Sequence, residues 1–191
     1  SQIKRSSEAI EMNAETSLLT RAQALQYRAL KQAKARKQEG LFLLEGVRLC
    51  EEAFHSSLNI TACITSKGFD KISIPSHVNH FEATPVQIDQ ISDSRSPQGI
   101  ICVAQIPKTQ EHPQAVDTKI VLVLDRISDP GNMGTIFRSA LWFGIQDVLL
   151  GPDCVDPYSP KVVRGSMGAI GTLNLQNSPN LYQSAKEWKS A

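Results

Sequence analysis

The chain has 191 residues, 20% of them charged and 41% hydrophobic, which is ordinary for a globular protein of one large or two small domains. A formal net charge of +1 gives no global field that gathers nucleic acid, so any such surface must be a local patch. The longest apolar runs are strand-sized, too short for a transmembrane helix, and no apolar signal segment is present at the start.

Residues 1–17 are polar and aperiodic and are expected to be frayed or disordered. From Leu18 to Gln38, the residues Leu18, Ala22, Leu25, Ala29 and Ala33 recur at spacings of three and four, which predicts one long helix. Its polar side holds Arg21, Arg28, Lys31, Lys34, Arg36 and Lys37 against Glu39 alone. Such a run is either a solvated helix face or one that contacts phosphates. A strand follows over 41–44, then a helix over 45–56 with Val47, Cys50 and Phe54 facing inward. Further strands are expected at 60–65 and 78–82. Thr84-Pro85 combines an N-cap with proline at N1 and opens a short helix to Ser92. A loop over 94–99 leads to a strand over 100–105. Residues 18–105 therefore read as one α/β domain. Residues 106–118 hold two prolines and little apolar surface and read as a linker.

The second domain, 119–191, begins with the apolar strand 120–124. The cluster Asp129-Pro130-Gly131-Asn132 turns the chain into a helix over 132–143, with Ile136, Ala140 and Phe143 on one face and Gly144 as its stop. A strand at 147–150, a helix from Ser159-Pro160 to Met167, a strand at 172–175 and a helix at 180–189 complete the pattern. Alternating strands and helices imply a parallel sheet. Three parallel strands without a further partner would leave an apolar edge exposed.

A strand, a Gly/Asn turn and a helix N-terminus together form an anion site, because free N–H groups and the helix dipole converge there. Helical side chains lean toward the N-terminus, so Arg138 is expected to lie over Gly134 and approach Asn132. The same pattern fits a solvated surface arginine equally well. The segment has no Gly-Lys-Ser/Thr and no Gly-x-Gly-x-x-Gly, which argues against a kinase-like phosphate binder and against a dinucleotide site. Cys50, Cys63, Cys102 and Cys154 are widely spaced, and His77 and His80 have no neighbouring ligands, so no metal site is expected. Reduced thiols fit a cytosolic or organelle-matrix protein.

Asp125, Asp129-Pro130-Gly131-Asn132, Gly134-Thr135-Ile136 and Arg138-Ser139-Ala140 resemble the first signature motif of the SpoU/TrmH family. These are RNA ribose 2′-O-methyltransferases of the SPOUT superfamily that use S-adenosylmethionine. Lys161-Val162-Val163-Arg164-Gly165-Ser166-Met167-Gly168-Ala169 resembles the family's Ser-x-Gly-Ala segment, and Gly40 to Leu49 resembles the opening of its substrate-binding domain. The resemblance spans residues 18–175. It implies an N-terminal ribosomal-protein-like α/β domain that binds structured RNA, then a parallel-sheet SPOUT-type domain. Residues 171–191 contain neither the family's Gly-x-Glu loop nor its Glu-Ser-Leu-Asn loop, which thread a trefoil knot and cradle the donor. The expectation is a SPOUT domain truncated before the knot, with no cofactor site in this chain. A fragment and a protein that has lost its cofactor half both fit.

The resemblance implies that Arg138 contacts the target nucleotide and helps activate its hydroxyl. A guanidinium stays protonated, so the physical role is a clamp on phosphate and developing alkoxide. Asn132 either orients Arg138 or caps the helix. Ser166 and Gly168 line the same cleft or form a structural turn. Lys161 and Arg164, three apart on one helix face, are candidates to follow the RNA backbone. Given an RNA substrate, Lys31, Lys34 and Arg36 become candidate phosphate contacts. By family resemblance alone, the separate N-terminal domain favours large-subunit ribosomal RNA over tRNA, and the complete protein is expected to use S-adenosylmethionine and to form a homodimer. The alternative reading is a non-catalytic RNA-binding protein of the same fold.

Overall fold

The computed structural model describes residues 16–108 and 120–190. Most of the expected frayed terminus (1–15) and of the expected linker (109–118) lies outside the described residues. Five strands form the sheet of the first domain: β1 (Ser17–Leu18), β2 (Leu41–Glu45), β3 (Ile60–Ser66), β4 (Asn79–Ala83) and β5 (Ile100–Gln105). Their order is β1-β4-β3-β5-β2, with β3 parallel to β4 and antiparallel to β5. Alternation along β2 and β5 sends Phe42, Leu44, Cys102 and Ala104 to one face and Leu43, Ile101 and Val103 to the other. Helices α1 (Arg21–Ala29), α2 (Ala33–Glu39), α3 (Val47–Phe54) and α4 (Pro85–Ile91) connect these strands. Ala24 of α1 with Ile88 and Ile91 of α4 seals the second face, and Leu49, Cys50 and Ala53 of α3 pack on the first.

The single helix expected over 18–38 is broken. Ser17 and Leu18 pair with β4 as a parallel strand, so the frayed terminus does not reach residue 17. Gln32 is extended and separates α1 from α2. The expected apolar face is also displaced: Leu18 and Leu25 are exposed, while Leu19, Ala24 and Leu30 are buried. Two basic side chains stabilise the break. Arg36 Nη1 donates to the carbonyls of Leu30 and Lys31, at 2.8 and 2.9 Å, which the interrupted helix leaves free. Lys31 Nζ donates to the carbonyls of Gln90 and Ser92 at the end of α4.

The second domain carries β6 (Leu122–Leu124), β7 (Asp147–Leu150) and β8 (Asn174–Asn177) in that order, all parallel, as the alternating pattern predicts. Helix α5 (Pro130–Trp142) joins β6 to β7. Helix α6 (Pro160–Ser166) and a 3-10 turn at Ala169–Gly171 lead to β8, and α7 (Leu181–Ser190) follows. The inward face of α5 is Met133, Phe137 and Ala140. Phe143 is not on that face but lies past the helix end, 78% exposed. The turn at Ala169–Gly171 delays β8 by two residues from the expected 172–175. The exposed apolar positions fall on the β6 side, at Ile120 and Val123, because β8 reads Asn-Leu-Gln-Asn.

The two domains share one core cluster, in which the Phe42 ring packs on Tyr158 at 4.9 Å between centroids. Burial, and secondarily the Asp156 charge, pushes the Tyr158 phenol up to about 12. An ion pair adjoins this contact: Arg36 of α2 reaches Asp156 of the second domain at 2.6 Å. Among the described residues no helix is long and apolar enough to cross a membrane.

Candidate active site

Helix α5 begins on a cap made by Asp129. Its backbone is extended, its Oδ1 accepts from the Asn132 N–H at 2.7 Å, and Pro130 fills N1. The capping residue is therefore Asp129 rather than Asn132. The helix end expected to receive an anion already carries a carboxylate. The Asn132 side chain is exposed and makes no hydrogen bond among the described residues.

Arg138 is exposed on α5, but it does not lie over Gly134. Gly134 is covered by the backbone of α6: a Cβ there would sit 2.7 Å from the Gly165 carbonyl carbon and 3.0 Å from the Ser166 nitrogen. The guanidinium instead meets Met167, with Nη1 3.0 Å from the thioether sulfur. This close helix packing makes an asymmetric prediction. Gly134→Ala forces backbone against backbone and is expected to cost about 1–3 kcal/mol. Gly165→Ala meets Gly134 at 3.5 Å, ordinary contact, and its melting temperature should stay near wild type. Equal melting temperatures for the two variants would refute this account of the packing.

Helix α6 ends in a left-handed turn, with Met167 at φ 48 and Gly168 at φ 91. A Cβ on Gly168 would displace the flexible Glu52 carboxylate of α3, but it is the left-handed φ that favours glycine here. Ser166 is fully buried and donates to the Val163 carbonyl at 2.7 Å. It closes the helix from a fully buried position. Arg164 is held by two carboxylates of the first domain, Asp93 at 3.0 Å and Glu45 at 3.8 Å, so its charge is compensated. Glu45 is itself hydrogen-bonded by Ser92. Lys161 is exposed and makes no ion pair among the described residues. Among the described residues, three that are not glycine adopt left-handed backbone, Arg126, Asp153 and Met167, on the connections that leave β6, β7 and α6. Such strain persists where surrounding structure holds it, and it clusters at functional sites.

Of the three candidate phosphate contacts Lys31, Lys34 and Arg36, Lys34 alone makes no hydrogen bond or ion pair among the described residues. Arg36 is 3% exposed and turned inward to Asp156, and Lys31 is spent on the α4 carbonyls. The partners Met167, Asp93, Glu45 and Asp156 carry no sequence signal. They become visible only when the domains meet.

Open parallel sheets take ligands at the carboxyl ends of their strands. Here the Gly151 N–H donates to the Leu124 carbonyl and the Ser178 N–H to the Leu150 carbonyl, each at 2.8 Å. Leu181 of α7 sits where a Gly151 side chain would be, 2.5 Å from that position. The described residues at these strand ends pack on one another.

Two family models match the chain. The SpoU rRNA Methylase family matches residues 119–191, and the MRM3-like substrate binding domain matches residues 23–102. The chain belongs to the SpoU/TrmH family. A Synechocystis protein described as an uncharacterized tRNA/rRNA methyltransferase is 33% identical over 83% of this chain and 61% of its own length. The mitochondrial rRNA methyltransferase 3 of Xenopus tropicalis is 35% identical over 81% of this chain and 41% of that protein. A 23S rRNA guanosine 2′-O-methyltransferase of Bacillus subtilis is 27% identical over 75% of this chain and 56% of that protein. Among solved structures, a TrmH-family protein from Porphyromonas gingivalis superposes with a TM-score of 0.75 at 32% identity, covering 86% of this chain and 64% of that one. The SpoU methyltransferase AviRb of Streptomyces viridochromogenes, in complex with AdoMet, gives 0.76 at 22% identity over 90% of this chain and 68% of that one, a likeness of fold. The chain thus spans between two fifths and two thirds of the length of most of these relatives. Within the SpoU/TrmH family frame, the first motif falls on the β6–α5 connection and α5, and the Ser-x-Gly-Ala segment on the left-handed end of α6.

Proposed function

We propose that this chain is the RNA-facing part of a ribose 2′-O-methyltransferase whose substrate is ribosomal RNA, of the large subunit in particular. The observation that carries this reading is Arg138. The first-motif arginine is exposed and held by a sulfur contact rather than by a carboxylate, so its charge is available to a ligand. The name of the Bacillus subtilis relative supports the choice of 23S-type RNA, and the first domain's family model supports an RNA-binding role for residues 23–102.

S-adenosylmethionine supplies the methyl group when bound. The residues of this chain act on the RNA. A guanidinium cannot serve as a base at neutral pH. Arg138 therefore clamps the phosphate beside the target ribose and stabilises the oxygen as it gains negative charge. Asn132, in the first turn of α5, offers a donor and an acceptor for the same nucleotide. Lys161 and Lys34 contact the backbone without reading bases. Gly168 acts indirectly, since its left-handed turn places Met167 against Arg138.

The test is methyl transfer from labelled S-adenosylmethionine to ribosomal RNA by the full-length protein. The product should be a ribose resistant to alkaline cleavage at one position. RNA binding without any transfer would favour the non-catalytic reading. The basic patch has its own test. Lys34→Gln with Lys37→Gln should lower the slope of log affinity against log salt by roughly 0.7–0.9 for each phosphate that is no longer neutralised. An unchanged slope would leave these lysines as a solvated face.

A further inference from the structure

A cavity of about 290 Å³ opens between the two domains, beside the site described above. Its walls come from the start of α3, from the loop carrying Ser96 and Gln98, and from the end of α6. We infer that this cavity receives a single unpaired RNA base and so helps to choose the nucleotide presented to Arg138. The inference rests on the RNA-methyltransferase reading above and goes beyond it by assigning a base-reading pocket.

Charge is the first argument. Four ionic side chains line the space, and they are already paired: Arg48 with Glu52 at 3.0 Å, and Arg164 with Glu45 at 3.8 Å. No uncompensated cation draws a phosphate into the cavity. The occupant is a neutral group.

Shape and chemistry narrow it further. The volume lies near the lower end of ligand pockets, which begin at about 300 Å³. It suits one small planar group rather than a folded segment. Leu49 and Met167 give the cavity apolar wall, and a polarisable thioether packs well on aromatic rings. Gln98 supplies a fixed polar edge. Its Oε1 accepts from the Val47 N–H at 2.8 Å, while its amide nitrogen has no partner among the described residues. The Ser96 hydroxyl also makes no hydrogen bond among the described residues. Apolar walls with a few spare donors are how proteins hold splayed-out RNA bases by their edges.

Position completes the argument. Met167 lines the cavity and also carries the 3.0 Å contact to Arg138. A base seated against one side of Met167 leaves its sugar and phosphate on the side where the guanidinium lies. Gly168, next in sequence, backs onto Glu52 of the same cavity wall, so both sites hang on one turn.

The test uses methyl-labelled methionine in the full-length protein, with S-adenosylhomocysteine present so that the donor's own site is filled. Met133 is fully buried in α5 and serves as an internal control. Each of the four ribonucleosides is titrated separately, with ribose 5-phosphate as the probe lacking a base. The Met167 methyl signal should shift saturably with at least one nucleoside and not with ribose 5-phosphate, while Met133 stays fixed. Gln98→Glu keeps the acceptor for Val47 and removes the donor, and should weaken that nucleoside at least tenfold. If that variant fails to fold, Ser96→Ala reads the same edge, with several-fold weakening expected. A silent Met167, equal shifts with ribose 5-phosphate, or unchanged affinity in the folded variant would overturn the assignment. Methyl transfer with a silent Met167 sinks the pocket alone. A responsive Met167 in a protein that transfers no methyl group sinks the enzymatic reading and keeps the pocket.

Discussion

Replacing Arg138 by alanine in the full-length protein should lower single-turnover methyl transfer by about a hundredfold or more, while the melting temperature stays near wild type. The rate follows from chemistry. As the 2′-hydroxyl gives up its proton to solvent and attacks the donor's methyl group, its oxygen gains negative charge, and loss of one fixed stabilising group at such a point costs on the order of 10²–10³ in rate. The stability follows from structure. Arg138 is exposed, forms no ion pair among the described residues, and touches Met167 through one nitrogen. Surface substitutions of this kind change stability by roughly half a kcal/mol at most. Lysine should rescue poorly, because a point charge cannot reproduce the planar fork on phosphate and alkoxide together. Near-normal transfer by the alanine variant would remove Arg138 from the mechanism, and most of the reading of the first motif with it.

What the sequence made legible follows from which forces are local. Periodicity and turn chemistry are local, so β2, β5 and β7, the Thr84 cap of α4 and the parallel order of β6, β7 and β8 could all be read from it. The break at Gln32 could not. It depends on Arg36 reaching back to two carbonyls and across to Asp156, 120 residues away. The candidate site divides in the same way. The first motif located Arg138 on a helix, because Asp129-Pro130 caps and opens one, but Pro130, Gly131 and Asn132 form its first turn rather than a turn before it. The direction of the Arg138 side chain was misread, since Gly134 looked like open space when taken alone. Only the packing of α6 explains that glycine. Ser166 looked like a cleft residue for a similar reason: a helix-closing serine and a ligand-binding one have the same sequence neighbours.

The sharpest consequence concerns Arg36, which the sequence groups with RNA-contacting lysines and the structure buries. Arg36 is 3% exposed, and its guanidinium makes four hydrogen bonds: Nε and Nη2 to Asp156, at 2.9 and 2.6 Å, and Nη1 to the carbonyls of Leu30 and Lys31. Arg36→Met keeps most of the volume and removes every donor. Two main-chain carbonyls and one carboxylate then lose their partners. Breaking a buried pair costs about 3–5 kcal/mol when one charge is stranded. The Asp156 side chain is 32% exposed and can recover some water, so a loss of about 3 kcal/mol is expected. For a chain of this size that corresponds to a fall of roughly 6–12 °C in melting temperature. Arg36→Lys should recover only part of it, because one ammonium cannot reach Asp156 and both carbonyls in the same geometry. The double variant Arg36→Met with Asp156→Asn should be less destabilised than the sum of its single changes, since the stranded charge is gone. RNA affinity of the folded Arg36→Met protein, measured well below its melting temperature, should match wild type. The opposite pattern, weakened RNA binding with an unmoved melting temperature, would return Arg36 to the RNA surface and would leave the domain junction to the shared core and the Arg164 ion pairs.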